Sequence, residues 1–241
     1  MVMATMMMTT SRFDRALIDG DILTYRLGFA CEGESEGIVR ARLDTFLSDL
    51  LIYDVDVDDF EGFLTAPTGN FRESIAVTAP YKGNRSGNKP QHYNYIREYL
   101  VKDWGFIMVE GQEADDAIGI EAMKPHQTPV ICTIDKDLDN VPGWHFNFVK
   151  RVMYYVSREE ATRNFFTQIL TGDRIDNIIG IRGVGPVKAS KILENCTSER
   201  MMYEACVEAY GDPERVLENG RLLWIRHKEN EIWNPPELTK E

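Results

Sequence analysis

Short apolar runs alternate with amphipathic helical segments over residues 15–134, and this alternation leaves few folds open to the chain. Strands are predicted at residues 15–18, 60–65, 106–109 and 130–134, and helices at residues 22–30, 36–51, 93–104 and 113–122. Residues 66–90 are rich in Gly, Pro, Asn and Thr and are predicted to form a loop. Strands that alternate with helices favour an α/β fold with a mostly parallel, twisted sheet flanked by helices.

The strand pattern stops after residue 157, and the remainder reads as helical. Helices are predicted at residues 158–170, 186–194, 198–210 and 213–227. We therefore predict an α/β domain at residues 13–157 and a helical part at residues 158–241. Residues 1–12 begin with a Met- and Thr-rich stretch that lacks the charged start and long apolar core of a signal peptide, so we interpret them as a disordered tail.

Acidic residues cluster at the predicted strand ends. Because the carboxyl ends of parallel strands share one edge of a sheet, acids that follow three different strands should converge there. A fourth group lies at the start of the helical part. The candidates are Asp19, Glu113, Asp115, Asp116, Asp135, Asp137, Asp173 and Asp176.

Carboxylates packed together raise one another's pKa and destabilise the fold unless a cation compensates them. Oxygen ligands without Cys or His favour Mg²⁺ or Mn²⁺, and the Cys and His residues show no zinc spacing. Two such ions about 4 Å apart can activate water and stabilise the leaving oxygen of a phosphodiester. The sequence therefore predicts a site for two or more divalent cations. Helix capping or solvation would be the better explanation of any one acidic group alone, but not of all four groups in order at strand ends.

Charge is segregated along the chain, although its net value is −12. Residues 32–61 hold ten acids and two arginines, a balance of −8. Residues 80–102 hold five basic residues and one acid, a balance of +4, and residues 177–193 hold three basic residues and no acid, a balance of +3. An acidic flank and two basic patches are compatible with nucleic acid held in a defined place.

Residues 181–193, IRGVGPVKASKIL, have the form of a helix-hairpin-helix. The glycines of the turn let backbone N–H groups approach a phosphate at the positive end of the following helix. Such an element grips the backbone of duplex DNA without reading bases. An ordinary pair of helix caps is the alternative. The candidate DNA-binding residues are Arg182, Gly183, Gly185, Lys188 and Lys191.

A second basic motif, TAPYKGNRSGNKP, occupies residues 78–90. Lys82 and Arg85 are candidate catalytic residues, because a cation near a scissile phosphate stabilises charge that develops in the transition state. Tyr81 offers a ring on which a base could stack. An ordinary solvated basic loop is the alternative.

Six motifs in order give the chain a family resemblance. They are LIDGD (17–21), NFR (70–72), YKGNR (81–85), GQEADDAIG (111–119), TIDKDLD (133–139) and TGDRIDNIIGIRGVGPVKASKIL (171–193). The chain resembles the 5′-nucleases of the flap endonuclease and 5′→3′ exonuclease family, and specifically a free-standing phage-type member without a polymerase domain. The resemblance implies a PIN-like 5′-nuclease fold, with a helical arch at residues 78–105 over the active site.

The resemblance also implies a role for each motif. Asp19, Glu113, Asp115 and Asp116 would hold one metal ion, and Asp137, Asp173 and Asp176 a second, with Asp135 close by. Lys82 and Arg85 would be cations at the base of the arch, and Arg72 would contact a phosphate. Family members often hold a monovalent cation such as K⁺ between the hairpin's carbonyls and the DNA.

The implied activity is hydrolysis of phosphodiesters to 5′-phosphate and 3′-hydroxyl products during DNA replication. The implied substrates are duplex DNA with a 5′ end, flap or nick, and also RNA primers in RNA–DNA hybrids. Two alternatives stay open: a non-catalytic DNA-structure-binding protein, and a PIN-like ribonuclease that acts on RNA alone. The balance between exonuclease and flap endonuclease action is likewise open.

The chain departs from the family pattern at Thr65, where many members have an aspartate at the end of the second strand. One ligand of the first metal ion is therefore missing, or is replaced by Asp21. The requirement for metal is not affected by this change.

The cellular setting follows from cysteine usage and hydropathy. Four widely spaced cysteines favour free thiols in a reducing cytoplasm, which is the host cytoplasm if a phage encodes the chain. No apolar run approaches the roughly 20 residues of a membrane span, so we expect no membrane partner.

Overall fold

The central sheet has six strands in the order β3-β2-β1-β4-β5-β6. The computed structural model describes residues 11–84 and 87–236. Neighbouring strands run parallel except for β5 and β6, which pair antiparallel, so the predicted α/β class is confirmed. The strands are β1 (Ala16–Asp19), β2 (Phe60–Thr65), β3 (Ile107–Val109), β4 (Val130–Cys132), β5 (Gly143–Asn147) and β6 (Val152–Val156).

Helices cover both faces of the sheet, because side chains of a strand alternate between faces. Ile18 of β1 packs into the core formed with α1, α2 and α4, whereas Leu17 packs on the other face against α5. These helices are α1 (Gly20–Ala30), α2 (Glu36–Asp49) with a π-helical turn after it (Leu50–Asp54), α4 (Tyr93–Trp104) and α5 (Ala114–Ala122). A short helix, α3 (Arg72–Ile75), lies inside the predicted loop.

The C-terminal part has a hydrophobic core of its own, centred on Phe165, Phe166 and Trp233. Its helices are α6 (Arg158–Thr171), α7 (Pro186–Ile192), α8 (Glu199–Tyr210) and α9 (Pro213–Leu223). Ser157 caps α6 in a reciprocal capping box with Glu160, which places the predicted boundary at the start of a helix. In addition to helices, this part contains an antiparallel ribbon of two short strands, β7 (Gly172–Asp173) and β8 (Ile178–Ile179).

Besides α3 and the β7–β8 ribbon, strands β5 and β6 and the end of α9 differ from the sequence prediction. Strands β5 and β6 were not predicted, although VMYYV at residues 152–156 has the β-branched and aromatic composition of a strand. Helix α9 ends at Leu223 instead of residue 227, because Trp224 adopts an extended backbone with ψ of 124°. That early end frees backbone groups of the following residues for contacts with the site described below.

The predicted arch region, residues 78–105, consists of a loop and α4. Helix α4 packs on α1 and α2 through buried Ile96 and Leu100. Of the predicted tail, residues 1–10 lie outside the described part of the chain. Ser11 and Arg12 are ordered against the domain: the Ser11 hydroxyl donates to Asp56 O, and the Arg12 guanidinium lies 3.7 Å from the Trp144 ring centroid.

No helix within residues 11–84 and 87–236 has the length and apolar character that crossing a bilayer requires.

Candidate active site

Asp19 lies at the carboxyl end of β1, in the middle of the sheet, and is 1% exposed. One carboxylate oxygen accepts from the backbone N–H of Ile22 at 3.0 Å and so caps α1. The other accepts from the Thr133 hydroxyl at 2.8 Å, which ties β1 to the end of β4. These bonds fix the orientation of the Asp19 carboxylate at the sheet edge.

The start of α5 supplies Glu113 and Asp115. Glu113 is the N-cap of α5 and is 9% exposed. Its carboxylate accepts from Asn70 Nδ2 at 2.9 Å and from the Tyr81 hydroxyl at 3.0 Å. Asp115 follows in the first helical turn, facing the same edge of the sheet as Asp19.

A 3₁₀ turn, Lys136–Asn140, follows β4 and carries the next pair of acids. Asp135 caps this turn by accepting from Asp137 N at 2.9 Å. Asp137 in turn accepts from Gln168 Nε2 of α6 at 2.6 Å, and the Gln168 carbonyl accepts from Asn140 Nδ2 at 2.5 Å. The sheet and the helical part therefore meet at Asp137.

The ribbon after α6 supplies Asp173 and Asp176. Asp173 accepts from the backbone N–H groups of Ile175 and Asp176, which closes the turn between β7 and β8. The Tyr81 hydroxyl lies 2.9 Å from Asp176 Oδ2 and also reaches Glu113, so it bridges the ribbon and α5.

Electrostatics shows that these carboxylates lie within repulsive range of one another. Burial, with repulsion from Asp19, Asp135 and Glu113, raises the pKa of Asp115 well above its usual value. Burial, with repulsion from Asp135, Asp173 and Asp176, raises the pKa of Asp137 to about 7. Burial is also the main cause that raises the pKa of Asp19 to about 7. We call these seven residues the acidic cluster: Asp19, Glu113, Asp115, Asp135, Asp137, Asp173 and Asp176.

The acidic cluster fits divalent cations by its chemistry. Its donors are all carboxylate oxygens, the ligand type of Mg²⁺ and Mn²⁺, and raised pKa values report charge that the protein alone leaves uncompensated. In residues 11–84 and 87–236, however, no group of three or more potential ligands is gathered tightly enough to hold an ion as it stands. Several carboxylates are turned toward protein donors instead, so binding of a cation would involve side-chain reorientation.

Asp116 differs from its prediction as a metal ligand. It is fully buried, and its two oxygens accept from both terminal nitrogens of Arg72, from Glu113 N and from Arg226 N. Burial opposes this charge, yet Arg72 and the backbone donors outweigh burial, so the pKa of Asp116 lies below its usual value. All of the lone pairs that a metal would use are occupied, which corrects the prediction.

Arg72 likewise differs from its prediction as a phosphate contact. It is 2% exposed, and its guanidinium also donates to Leu222 O at 2.8 Å and Trp224 O at 2.7 Å. The side chain thus joins α3, α5 and the segment after α9. Its position is structural, because the guanidinium makes four hydrogen bonds inside the protein and its Nη1 also lies 3.8 Å from Glu113 Oε2.

Lys82 lies beside the acidic cluster, and its catalytic role stays a prediction. Its ammonium contacts Glu113 and lies 3.7 Å from Asp176 Oδ2. Its backbone is left-handed, with φ of 55°, a conformation uncommon for a residue with a side chain. Arg85, the second predicted cation, lies outside the described residues.

Tyr81 is placed differently from the predicted stacking platform. Its ring packs at the edge of the hydrophobic core of the C-terminal part. Burial and the Glu113 and Asp176 carboxylates raise the pKa of its phenol, so the hydroxyl remains a donor. Tyr81 therefore connects acids instead of presenting a free face to a base.

Thr65, the departure from the family pattern, is part of a separate polar network. Its hydroxyl accepts from Ala114 N at 2.9 Å, and its own N–H donates to Asp21 at 3.1 Å. Arg97 pairs with Asp21 at 2.6 Å and also donates to Thr65 O. Asp21 is held by these donors, and its charge still lies close enough to Asp19 to repel it and to help raise the pKa of Asp19.

At the predicted helix-hairpin-helix the structure has a turn followed by α7, with the β7–β8 ribbon in place of a helix directly before the turn, so the helix-hairpin-helix stays a prediction. Gly183 has φ of 78°, and a side chain at Gly183 or Gly185 would meet open space within 4 Å. The Lys188 ammonium donates to Gly183 O at 2.8 Å. Arg182, Lys188 and Lys191 are all exposed, so the turn offers backbone and cations to a partner.

A groove of about 670 Å³ opens beside the acidic cluster. Lys82, Glu113, Lys89, Tyr93 and Arg97 line it, and the Lys89 ammonium lies 4.4 Å from the Tyr93 ring centroid. A groove with cations and a ring can hold a single strand of nucleic acid.

Sequence reasoning missed three residues that orient the acids: Asn70, Thr133 and Gln168. Asn70 and Thr133 each lie inside a motif already recognised, NFR and TIDKDLD, so their polar side chains at strand or loop ends were a usable signal. Gln168 lies on an amphipathic helix with no motif, and nothing in the sequence distinguishes it.

Comparison with known proteins agrees with this geometry. No protein-family model matches the chain. DNA polymerase I of Deinococcus radiodurans is 27% identical over 212 residues, which cover 78% of this chain and 21% of that protein. The chain thus spans about one fifth of the length of this curated relative.

Two solved structures of bacteriophage T5 proteins share the fold. A 5′-exonuclease with bound divalent metal ions superposes with a TM-score of 0.70 at 17% identity, covering 87% of this chain and 89% of that chain. A flap endonuclease in complex with DNA and metal ions superposes with a TM-score of 0.67 at 17% identity, covering 87% and 88%. The predicted fold is therefore confirmed, and the chain is similar in fold to these two 5′-nucleases.

Proposed function

We propose that this chain, which has the fold of the 5′-nucleases, is a divalent-metal-dependent, structure-specific nuclease that hydrolyses DNA phosphodiesters. The observation that carries the proposal is the acidic cluster at the carboxyl ends of the parallel strands, with Lys82 against it. A protein that only bound DNA would gain nothing from seven mutually repelling acids beside a phosphate.

Residues of the acidic cluster divide into two sets. Asp19, Glu113 and Asp115 come from β1 and α5 and would hold one Mg²⁺ or Mn²⁺ ion. Asp137, Asp173 and Asp176, with Asp135 close by, would hold a second. Bound divalent cations would supply activation of the attacking water and neutralisation of charge at the phosphodiester.

The chain's own residues provide position and charge. Lys82 lies close enough to Glu113 and Asp176 to contact a phosphate held there, where its charge would stabilise the transition state. Arg182, Lys188 and Lys191 with the Gly183–Gly185 turn would grip the backbone of the duplex. Lys89 and Tyr93 in the groove would guide the single strand.

The substrate we propose is duplex DNA with a 5′ end, a flap or a nick, and RNA primers in RNA–DNA hybrids as a further substrate. The name of the related DNA polymerase I supports a role in replication, and the complex of the T5 flap endonuclease with DNA supports DNA as the partner. Four free, buried cysteines are consistent with a reducing cytoplasm. Binding of K⁺ at the hairpin stays a prediction. The Lys188 ammonium donates to Gly183 O, so a K⁺ ion at this carbonyl would have to displace it.

The test is a cleavage ladder on a 5′-end-labelled flap substrate beside a nicked duplex, with Mg²⁺ and with EDTA. We expect cleavage only with Mg²⁺, and products that carry 5′-phosphate and 3′-hydroxyl ends. Short labelled products from both substrates indicate exonuclease action, and one long flap product indicates endonuclease action.

Two results would contradict the proposal. Tight binding of the flap without cleavage in Mg²⁺ or Mn²⁺ would favour the non-catalytic binding protein. Cleavage of single-stranded RNA with no action on DNA would favour the PIN-like ribonuclease.

A further inference from the structure

Residues 77–84, in the loop between α3 and α4, carry Tyr81 and Lys82 to the acidic cluster, yet apart from the Tyr81 ring they bury little apolar surface. Val77 is 87% exposed, and Thr78, Gly83 and Asn84 are exposed as well. Apart from the Tyr81 ring, few buried apolar contacts stabilise a single conformation of this segment. Contacts from elsewhere in the chain must hold it.

Glu218 of α9 makes such a contact from 140 residues away. One carboxylate oxygen accepts from the backbone N–H of Val77 at 2.8 Å and of Thr78 at 2.7 Å. The other accepts from the Thr78 hydroxyl at 2.6 Å. The Glu218 side chain is 11% exposed, and its charge makes these bonds stronger than bonds to a neutral acceptor would be.

Arg215, one turn earlier on α9, extends the contact to the ribbon. Its guanidinium pairs with Glu218, contacts the Thr78 hydroxyl, and donates to Ile179 O of β8 at 2.9 Å. Asn219 also donates to Ile179 O at 3.0 Å. Helix α9 therefore contacts both the loop and the β7–β8 ribbon, and so fixes their relative position. The ribbon carries Asp173 and Asp176 of the acidic cluster.

A second set of contacts joins the loop directly to that ribbon. Lys82 N donates to Asp176 O at 2.9 Å, Asn177 Nδ2 to Pro80 O at 2.9 Å, and Asn84 Nδ2 to Arg174 O at 2.7 Å. The loop is thus held at two points: residues 77–78 contact α9, and residues 80–84, which include Tyr81, contact the ribbon.

The backbone of Lys82 is strained, and the contacts of the loop hold it in this strained conformation. Its φ of 55° is a left-handed conformation that costs energy in a residue with a Cβ. Such conformations persist only where surrounding contacts over-determine them, and they cluster at functional sites. Release of the loop would let Lys82 relax and move its ammonium away from Glu113 and Asp176.

We infer that Glu218 is a positioning residue for the nuclease reaction, which acts by fixing the Lys82 loop against α9 and the ribbon. The inference rests on the proposed function for its catalytic consequence. The holding of the loop itself does not depend on any activity, and the two parts can be tested separately.

The first test is amide hydrogen exchange of a peptide that covers residues 76–84. We expect exchange at Val77 and Thr78 to speed up at least about ten-fold in Glu218→Ala, because the acceptor of both N–H groups is lost. Glu208→Ala, an exposed glutamate of α8, is the matched control and should leave this peptide unchanged. Equal exchange in wild type and Glu218→Ala would overturn the inference.

The second test is a double-variant cycle of single-turnover cleavage at saturating flap DNA. Glu218→Ala should lower the rate at least about ten-fold when Lys82 is present, since small misplacement of a catalytic group is costly. In a Lys82→Ala background the same substitution should change the rate less than about two-fold, because Glu218 acts through Lys82. Equal losses in both backgrounds would overturn the inference.

Glu218→Gln keeps one oxygen that can accept from both N–H groups, so it should retain the rate within about three-fold of wild type. Loss in Glu218→Gln as large as in Glu218→Ala would mean that the bonds to residues 77 and 78 are not what matters. DNA affinity in Ca²⁺ should stay the same in all three glutamate variants. If wild type itself fails to cleave, the proposed function fails, while hydrogen exchange still decides whether Glu218 holds the loop.

Discussion

Removal of Arg72 should destabilise the fold far more than it weakens DNA binding. Arg72→Ala leaves Asp116 fully buried and charged, with only the backbone N–H groups of Glu113 and Arg226 as donors. Breaking a buried ion pair by removing one partner costs about 3–5 kcal/mol. A domain of ordinary stability has about 5–15 kcal/mol in total, so the variant should lose a large share of it.

The geometry of the pair refines this magnitude. Arg72 also donates to the carbonyls of Leu222 and Trp224, which Arg72→Lys cannot reach together with both Asp116 oxygens. We therefore expect an intermediate loss of about 1–3 kcal/mol for Arg72→Lys. Adding Asp116→Asn to Arg72→Ala removes the stranded charge and should restore about 1–2 kcal/mol.

The assay is equilibrium urea unfolding followed by tryptophan fluorescence and circular dichroism. Arg200→Ala, which removes an exposed ion pair with Glu204 on α8, is the control and should cost less than about 0.5 kcal/mol. A loss for Arg72→Ala as small as for this control, together with weakened DNA binding, would refute the structural role and restore the predicted phosphate contact.

Three further predictions concern the loop, the hairpin and the acidic cluster. Lys82→Ala should lower the single-turnover rate by about 10²- to 10³-fold with little change in DNA affinity. Lys89→Ala should instead weaken DNA binding and reduce the salt dependence of binding by about one counterion. Normal cleavage by Lys82→Ala at saturating DNA would contradict the catalytic role of Lys82. Replacing both Gly183 and Gly185 with Val should weaken duplex binding equally for all sequences, measured by fluorescence anisotropy in Ca²⁺, and a loss confined to certain sequences would argue against backbone contacts. In EDTA the melting temperature should decrease as the pH is raised from about 5 to about 8, because a carboxyl whose folded-state pKa is raised gives stability that is lost as pH rises through that pKa. Mg²⁺ should abolish this decrease. A melting temperature in EDTA that does not depend on pH would contradict the repulsion in the acidic cluster.

The strands and helices that have a clear local sequence pattern could be predicted from the sequence. Four of the five strands that pair in parallel, and the acids that follow them, were found because each strand is a short apolar run and the acids lie soon after it. Strand β5 was missed because GWHFN mixes Gly, His and Asn with two aromatic residues, and strand β6 was missed because VMYYV is short and does not alternate between apolar and polar residues.

The site was predictable only as far as its motifs reach. The motifs brought Asp19, Asp115 and Asp137 together, but they could not show that Asp116, in the same EADD sequence, faces a buried arginine. That pairing joins residues 44 positions apart, and Glu218 and Thr78 are separated by 140. Contacts of this kind leave no local pattern in one sequence, because their partners are chosen by tertiary packing.

The measurement that tests the central claim most directly compares two aspartates of one 3₁₀ turn. Asp137 belongs to the acidic cluster, whereas Asp139 accepts from the Tyr154 hydroxyl at 2.8 Å and belongs to no predicted metal set. Calorimetric titration with Mn²⁺, and cleavage of the labelled flap in Mg²⁺, would be measured for both alanine variants.

We predict that Asp137→Ala loses a Mn²⁺ binding step and all detectable cleavage, while it binds DNA in Ca²⁺ at least as tightly as wild type, because a charge that repels phosphate is gone. Asp139→Ala should keep both metal binding and cleavage. Wild-type cleavage by Asp137→Ala, or equal losses in the two variants, would contradict the claim that the acidic cluster is the metal centre of a nuclease.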